Sequence, residues 1–141
     1  MPAEVLIDTG AILALLDKRD HWHTPCLHTF EQLRFPLQTS EAVLTETFHL
    51  IRRSRTEVDA VWGLVRSGTI ILAAIGNSEL SLINGLMNRY KDRPMDFADA
   101  TLVHLAERES IQVVFTIDQN DFATYRIGGR RRFRVIPVER P

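Results

Sequence analysis

The sequence predicts an α/β protein in three layers, with a central parallel β-sheet flanked by helices on both faces. Short apolar runs at residues 5–7, 69–75 and 111–118 have the character of strands buried on both faces. Segments with helical spacing separate these runs, so strand and helix alternate along the chain, which favours a parallel sheet. The length of 141 residues, with 45% hydrophobic and 25% charged residues, indicates one globular domain over residues 1–141.

The first strand and the two helices after it follow from local signals. The run Val-Leu-Ile at 5–7 ends at Asp8, and good helix formers follow over residues 11–17. Asp8 should therefore lie at the carboxyl end of a strand that leads into a helix. A second helix is predicted to be capped by Thr24, with Pro25 in its first turn.

The next segment is predicted to hold a short strand and two helices. Residues 35–40 read as a strand and its exit. Apolar residues recur at helical spacing over residues 40–51, and Ser40 is suited to cap that helix. A further helix over residues 56–68 should end at Gly68, because glycine favours the left-handed conformation that terminates helices.

The second half repeats the alternation. After the strand at 69–75, the pattern predicts a helix over 77–93 that ends at Pro94, and then a helix over 95–110. Inward-facing positions of that last helix are Leu102, Leu105 and Ala106. The strand at 111–118 should end at Asp118, and residues 133–138 should form a final short strand.

The composition excludes several classes of protein. A formal net charge of −1 provides no field over the whole chain to attract nucleic acid or a membrane, so any contact with a polyanion needs a local basic patch. Cys26 is the one cysteine, which excludes an internal disulfide and a cysteine-rich zinc site. There is no basic and apolar leader pattern and no apolar run of membrane-spanning length, so we expect a cytoplasmic protein.

Four acids are candidates for one catalytic site. Asp8 and Asp118 follow strands, and ligands of open parallel sheets gather at the carboxyl ends of strands. Glu46 and Asp99 stand among apolar residues of helices, and Asp96 lies three residues before Asp99. Carboxylates that share one crevice repel one another unless a cation is present, and Mg²⁺ prefers oxygen ligands. This pattern points to a metal-dependent phosphodiesterase, in which the metal would activate water and stabilise the leaving oxygen.

Each acid also has an ordinary structural interpretation. Asp8 and Asp99 could cap their helices or favour the helix dipole. Glu46 could pair with a nearby arginine, and Asp118 could be a turn residue. The proposed convergence depends on a topology that the sequence only predicts.

Other sites are weaker alternatives. Asp8-Thr9-Gly10 is the tripeptide of aspartic proteases, but helix formers follow it directly, which disfavours the strand-rich protease fold. A receiver domain would need a second acid at the end of the first strand and a late lysine. A haloacid-dehalogenase phosphatase would need an acid where Gly10 stands. A zinc site would have to use irregularly spaced residues, namely His21, His23, Cys26 and His28.

These motifs resemble those of the PIN-domain family, and more narrowly of VapC-type toxin ribonucleases, from Val5 to Pro137. The first is "VLIDTGAILALLD", and "DHWHTPCLHTFEQL" follows, with His23 at the start of the second helix. "TSEAVLTETFHLI" resembles the segment with the family glutamate. "MDFADATLVHLAERESIQVVFTIDQNDF" is the most specific part, with an Asp-Ala helix start and a Thr-x-Asp strand ending.

The resemblance implies an activity and a set of site residues. It assigns Asp8, Glu46, Asp99 and Asp118 to an acidic quartet that binds Mg²⁺, with Mn²⁺ as a substitute. It assigns accessory roles to residues beside that quartet, which are Thr9, Asp96 and Thr116. The Phe of Asp121-Phe122 is expected to pack inward.

The same resemblance implies endonucleolytic cleavage of RNA, a cognate antitoxin partner and a homodimer. A housekeeping RNA-processing nuclease and a PIN-like module that binds RNA or protein without cutting are the alternatives. A metal titration would distinguish a binding module from a nuclease.

A local basic segment is a candidate RNA contact. "GGRRRFR" at 128–134 concentrates arginines, which grip phosphates through two nitrogens; they are Arg130, Arg131, Arg132 and Arg134. The alternative is a solvated turn whose charges pair with Glu139 or the carboxyl terminus.

Overall fold

The fold is described from a computed structural model, which covers residues 2–93 and 95–141. Five strands form one parallel sheet in the order β3-β2-β1-β4-β7, with helices on both faces. The predicted three-layer α/β/α class is therefore confirmed. The predicted helix end at Pro94 lies outside the described residues.

The elements alternate as the sequence indicated. The sheet strands are β1 Val5–Ile7, β2 Leu37–Ser40, β3 Ile70–Ala73, β4 Val113–Phe115 and β7 Arg134–Ile136, and a separate antiparallel pair is β5 Arg126–Ile127 with β6 Arg131–Arg132. The helices are α1 Thr9–Leu16, α2 His23–Gln32, α3 Glu41–Ile51, α4 Arg55–Arg66, α5 Leu80–Arg89, α6 Phe97–Arg108 and α7 Gln119–Thr124, with a 3₁₀ turn at Asn77–Glu79.

The winding of the sheet reverses beside β1. From β1 the chain builds outward to β2 and β3, and it then returns through α5 and α6 to add β4 and β7 on the other side. In open α/β sheets this reversal leaves a crevice at the carboxyl ends of the two central strands. Residues that follow β1 and β4 therefore share the usual position of a ligand site.

Helix α6 is the central helix of the core. Nine of its residues are buried, including the predicted inward positions Leu102, Leu105 and Ala106. The strands β1 and β2 are buried along their length, with Leu6 and Ile7 fully inaccessible to solvent. Because most of α6 is buried, Asp99 in its first turn has a fixed position at the carboxyl edge of the sheet.

Several helix ends confirm the predicted signals, and one does not. Ser40 caps α3, with its Oγ accepting from the amide of Val43 at 3.1 Å, and Gly68 adopts a left-handed φ of 81° beyond α4. The predicted cap at Thr24 is wrong: α2 begins at His23, so Thr24 lies inside the helix. The Nδ1 of His23 contacts the carbonyl oxygen of Ala14 at 2.7 Å, which ties this helix start to α1.

The region after β4 departs most from the sequence-based prediction. The strand ends at Phe115, three residues before Asp118, and Asp118 instead precedes the short helix α7. Neither α7 nor the β5–β6 hairpin was predicted, because elements of six and two residues are too short to show a period. No helix within the described residues has the length and hydropathy needed to cross a membrane.

Candidate active site

Four carboxylates from separate elements converge at the carboxyl edge of the sheet. Asp8 follows β1, Asp118 precedes α7, Glu46 lies on α3, and Asp99 lies in the first turn of α6. Their charges act on one another: Asp118 and Glu46 raise the pKa of Asp8, while Asp8 and Asp118 raise that of Asp99. The structure thus brings together the four acids that the sequence indicated, from positions 8 to 118.

Asp8 is buried and held by two hydrogen bonds. Its Oδ1 accepts from the amide of Thr9 at 2.8 Å, and its Oδ2 accepts from the hydroxyl of Thr116 at 3.0 Å. Burial nevertheless raises its pKa to about 7, because desolvation of the carboxylate outweighs the two hydrogen bonds. Asp8 is the N-cap residue of α1, so its structural interpretation is confirmed, while its role in a catalytic site stays a prediction.

Thr116 connects the first acid to the last. Its buried hydroxyl donates to Asp8 and accepts from the amide of Asp118 at 3.0 Å. This one hydroxyl therefore orients the carboxylate of Asp8, which follows β1, and the backbone of Asp118, which follows β4. Thr116 thus lies directly beside two of the four acids.

The hydroxyl of Thr9, unlike its amide, contacts α3 rather than an acid. It donates to the carbonyl of Val43 at 3.3 Å and lies 3.4 Å from the donating hydroxyl of Thr47. The next residue, Gly10, makes room for Ile117, since a Cβ at Gly10 would lie 2.5 Å from the Ile117 side chain. Asp8-Thr9-Gly10 thus serves a strand-to-helix junction in a parallel sheet, and the aspartic-protease alternative is wrong.

Helices α3 and α6 are tied together beside the site. The hydroxyl of Thr101 on α6 donates to the Oγ of Ser40, the cap residue of α3, at 2.8 Å. This bond fixes the helix with Glu46 relative to the helix with Asp99. Glu46 itself is half-buried, and no described residue forms an ion pair with it.

Asp99 is the most perturbed acid of the cluster. It is buried, and burial followed by the charges of Asp8 and Asp96 raises its pKa to about 8. Asp96 is the exposed cap of α6, with its Oδ1 accepting from the amide of Asp99 at 2.7 Å. The predicted grouping of these two acids in one first turn is therefore present, with Asp96 as the cap.

Tyr125 is a site residue that the sequence did not indicate. Its buried hydroxyl donates to the Oδ2 of Asp99 at 3.0 Å. The buried ring packs against Phe122 and Tyr90, with centroid distances of 5.2 and 5.0 Å. A buried tyrosine needs a partner for its hydroxyl, and the "DFATY" segment was the available signal. The predicted inward packing of Phe122 is confirmed.

Asp118 closes the cluster on the solvent side. Its side chain is exposed, yet neighbouring protein atoms displace part of its water, and this desolvation with the charges of Asp121 and Asp96 raises its pKa. Arg93 forms an ion pair with Asp121 at 2.8 Å rather than with Asp118. Within the described ranges, none of the four acids forms a salt bridge.

The donor set fits a hard divalent cation. All four groups offer carboxylate oxygens, and burial together with the neighbouring carboxylates raises the pKa values of Asp8, Asp99 and Asp118. Across residues 2–93 and 95–141, no group of three or more His, Cys, Asp or Glu side chains is already arranged to hold a metal ion, and this applies to the four acids as well as to His21, His23, Cys26 and His28. An open carboxylate site accords with Mg²⁺, which keeps several of its waters when a protein binds it.

The basic segment lies away from these acids. Arg134 enters the sheet opposite Val113, at the start of β4, whereas the acids follow the other end of that strand. Arg131 and Arg132 form the exposed strand β6. Glu139 contacts His28 at 3.1 Å, so it does not serve as the counter-charge of this segment. The structure thus does not bring the arginines into the acidic crevice.

Comparison with known proteins places this geometry in a family. The sequence profile of the PIN domain matches residues 5–127. No curated protein sequence matches the chain.

Two solved structures share the fold. One is VapC20 of Mycobacterium tuberculosis, a sarcin-ricin loop cleaving toxin, with a TM-score of 0.70 and 23% identity over 78% of this chain and 86% of VapC20. The other is PAE2754 of Pyrobaculum aerophilum, with a TM-score of 0.50 and 19% identity over 84% of each chain. At these identities the two likenesses concern the fold.

Proposed function

We propose that this chain, which belongs to the PIN domain family, is a Mg²⁺-dependent endoribonuclease and the toxin of a type II toxin–antitoxin pair. One observation carries the catalytic part of the proposal. Asp8, Glu46, Asp99 and Asp118 come from four separate elements to the switch point of a parallel sheet, without a basic partner among the described residues. Burying carboxylates in this way opposes folding unless binding uses them.

The four acids have different roles in this proposal. Asp8 and Asp99 are buried and oriented by hydrogen bonds, so they would be the closest metal ligands. Glu46 and Asp118 lie toward solvent and would bind the metal directly or through water. A bound Mg²⁺ or Mn²⁺ would supply charge neutralisation, a hold on a phosphate oxygen and a lowered pKa for water.

The reaction would be hydrolysis of a phosphodiester bond. A water oxygen forms a bond to phosphorus while the bond from phosphorus to the 3′ oxygen breaks. The proton that the water loses is balanced by the proton that the 3′ oxygen gains. The products are a 5′ phosphate and a 3′ hydroxyl. Glu46 and Asp118 would receive or relay protons in this proposal, which is supported by their position toward solvent.

The biological part of the proposal concerns partners. The structural neighbour VapC20 is a toxin that cleaves the sarcin-ricin loop, which supports RNA as the substrate class and a toxin role. A cognate antitoxin protein would then neutralise the activity, and a homodimer would be the working form, acting on RNA in the cytoplasm.

Cleavage of RNA by purified protein tests the catalytic assignment. Wild type and Asp8→Asn, purified in parallel, are incubated with total RNA in the presence of Mg²⁺, Mn²⁺ or a chelator. We expect discrete cleavage products that bear 5′ phosphates from wild type with metal, and none from Asp8→Asn or with chelator. Equal cleavage by both proteins would refute the assignment of Asp8, and the absence of cleavage by wild type would favour a non-cleaving module.

Growth on expression tests the toxin role. We expect expression of wild type to arrest growth and expression of Asp8→Asn to permit it. A small adjacent gene whose product restores growth would identify the antitoxin. RNA cleavage without growth arrest would favour a housekeeping processing nuclease.

A further inference from the structure

A cavity of about 530 Å³ opens directly beside the acids. It is lined by Thr45, Glu46 and His49 of α3, by Asp96, the cap residue of α6, and by Phe97 of α6. Two alanines complete the lining. Carboxylates, an apolar surface and neutral polar groups therefore occur together in one cavity. The cavity is thus continuous with the proposed catalytic crevice.

Phe97 differs from the other exposed aromatic residues. Its side chain is 47% exposed, and no aromatic ring within the described residues packs against it. Phe35 and Trp62 are similarly exposed, but Phe35 packs on Phe30 and Trp62 packs on Phe48, each with centroids 5.0 Å apart. The ring of Phe97 therefore lacks an aromatic partner in the described part of the chain, and a flat group could stack on it. It lies one residue from Asp96, beside the four acids.

The polar groups of the cavity suit the edge of a base and the adjoining backbone. The hydroxyl of Thr45 donates to the carbonyl of Glu41 at 2.9 Å, which leaves its oxygen free to accept a hydrogen bond. His49 is exposed and offers a ring nitrogen. Arg52 donates to the carbonyl of His49 at 2.7 Å, and the same Nη1 lies 3.5 Å from the Nε2 of the His49 ring, which leaves Nδ1 as the nitrogen open to a ligand.

We propose that this cavity binds the base of the nucleotide next to the cleaved phosphate, stacked on the ring of Phe97 with its edge toward Thr45 and His49. This inference rests on the proposed function and deepens it, because it specifies an unpaired nucleotide. A base inside a duplex is covered on both faces by its neighbours, whereas a base in a loop or single strand can leave the stack. Phe97 is then a substrate-binding residue that selects single-stranded RNA at the cleavage site.

Fluorescence of a reporter base tests the inference without cleavage. The sites that wild type cuts are first mapped by sequencing the 5′ ends it generates from total RNA. A short RNA that spans one site is then synthesised with 2-aminopurine on either side of the cut. Asp8→Asn protein serves as the binding parent, and Phe97→Ala, Phe97→Trp and Trp62→Ala are added to it separately. Trp62→Ala is the matched control, since that aromatic has the same exposure and lies outside the cavity.

We expect the parent to quench 2-aminopurine at one of the two positions. Phe97→Ala should lose this quenching and bind the RNA roughly 5- to 150-fold more weakly, the range for one base stacked on an aromatic ring. Phe97→Trp should retain both properties, and Trp62→Ala should match the parent. When Asp8 is restored in the same variants, their rates of RNA cleavage should follow the same order. An RNA with an abasic nucleotide at the quenched position should be cleaved equally fast by wild type and by Phe97→Ala.

Failure of the base site and failure of the proposed function would give different results. Phe97→Ala could instead bind and cleave RNA as tightly and as fast as its parent, with unchanged quenching of 2-aminopurine. That result would overturn the base site and leave the nuclease assignment intact. A wild-type protein that generates no mapped cuts would overturn the proposed function and the base site together.

Discussion

The hydroxyl of Tyr125 donates a hydrogen bond to the Oδ2 of Asp99 across 3.0 Å, and both groups are buried. This bond favours the charged form of Asp99, against the larger effects of burial and of the charges of Asp8 and Asp96. The tyrosine therefore helps to keep this desolvated carboxylate charged. Its own pKa is raised by burial and by the adjacent carboxylate, so it remains a donor over the physiological range.

Replacing Tyr125 by Phe should weaken metal binding. Without the donated hydrogen bond the pKa of Asp99 rises further, and protons compete better with the cation. A hydrogen bond to a charged group contributes about 1.5–3 kcal/mol, which corresponds to roughly 10- to 150-fold in affinity. Titration of Mn²⁺ into the metal-free protein by calorimetry measures this loss.

The matched control is Tyr90→Phe. The oxygen of Tyr90 accepts from the amide of Arg126 at 3.0 Å and does not bond to an acid of the cluster. We expect its Mn²⁺ affinity to equal that of wild type. Equal affinities for Tyr125→Phe and wild type would show that the bond does not support metal binding.

Replacing Thr116 by Val should reduce activity about 10- to 100-fold, the usual cost of losing a group that orients a metal ligand. Valine keeps the branched shape but removes the donor to Asp8 and the acceptor for the amide of Asp118. The rate of RNA cleavage at saturating Mg²⁺ measures the effect. Thr124→Val removes an exposed hydroxyl that bonds to the carbonyl of Asn120 and should cleave normally. Cleavage by Thr116→Val at the wild-type rate would refute this orienting role.

The metal-free protein should lose stability as pH rises. Asp8 and Asp99 have pKa values of about 7 and about 8 in the folded state, above the ordinary value of 3.8. The folded state therefore binds more protons than the unfolded state between about pH 4 and pH 8, and the free energy of unfolding falls with pH across that window. Glu79, whose pKa is lowered to about 2 mainly by its hydrogen bond with His104, titrates below it.

Urea unfolding in the presence of a chelator at pH 5, 6.5 and 8 measures this slope. Asp99→Asn should unfold with a shallower dependence, and at pH 8 it should be more stable than wild type because it carries no buried charge. A free energy of unfolding that rises with pH over this range in wild type would contradict the burial of these carboxylates.

Charge reversal in the basic segment tests its contact with RNA. If Arg131 and Arg132 contact phosphates, Arg131→Glu with Arg132→Glu should weaken binding and lower the slope of log affinity against log salt by about 1 to 2. The control reverses Arg19 and Arg55, which are 90% and 80% exposed. Equal salt slopes for wild type and the Arg131/Arg132 variant would remove this segment from the RNA-binding surface.

Sequence patterns predicted the sheet and its acids because both depend on local signals. Asp8 follows an apolar run, and Asp99 stands in the first turn of a strongly apolar helix, so each could be placed from its neighbours. The convergence itself needed β1 and β4 to be neighbours in the sheet, which the alternation of strands and helices does not decide and the structure shows.

The parts that sequence did not predict depend on long-range packing. Tyr125 reaches Asp99 across 26 residues, from a segment too short to show a period. The free ring of Phe97 could not be distinguished from the packed rings of Phe35 and Trp62 without the fold. The distance between the basic segment and the acids follows from the register of Arg134 with Val113, which no local pattern reveals.

Thermal unfolding with and without Mg²⁺ tests most directly whether the acids form a cation site. Wild type and the double variant Asp8→Asn with Asp99→Asn are compared at pH 8. A ligand that binds only the folded state raises Tm, so we expect millimolar Mg²⁺ to raise the Tm of wild type by several degrees and to leave that of the double variant unchanged. Equal shifts in the two proteins, or no shift in wild type at any Mg²⁺ concentration, would contradict the account.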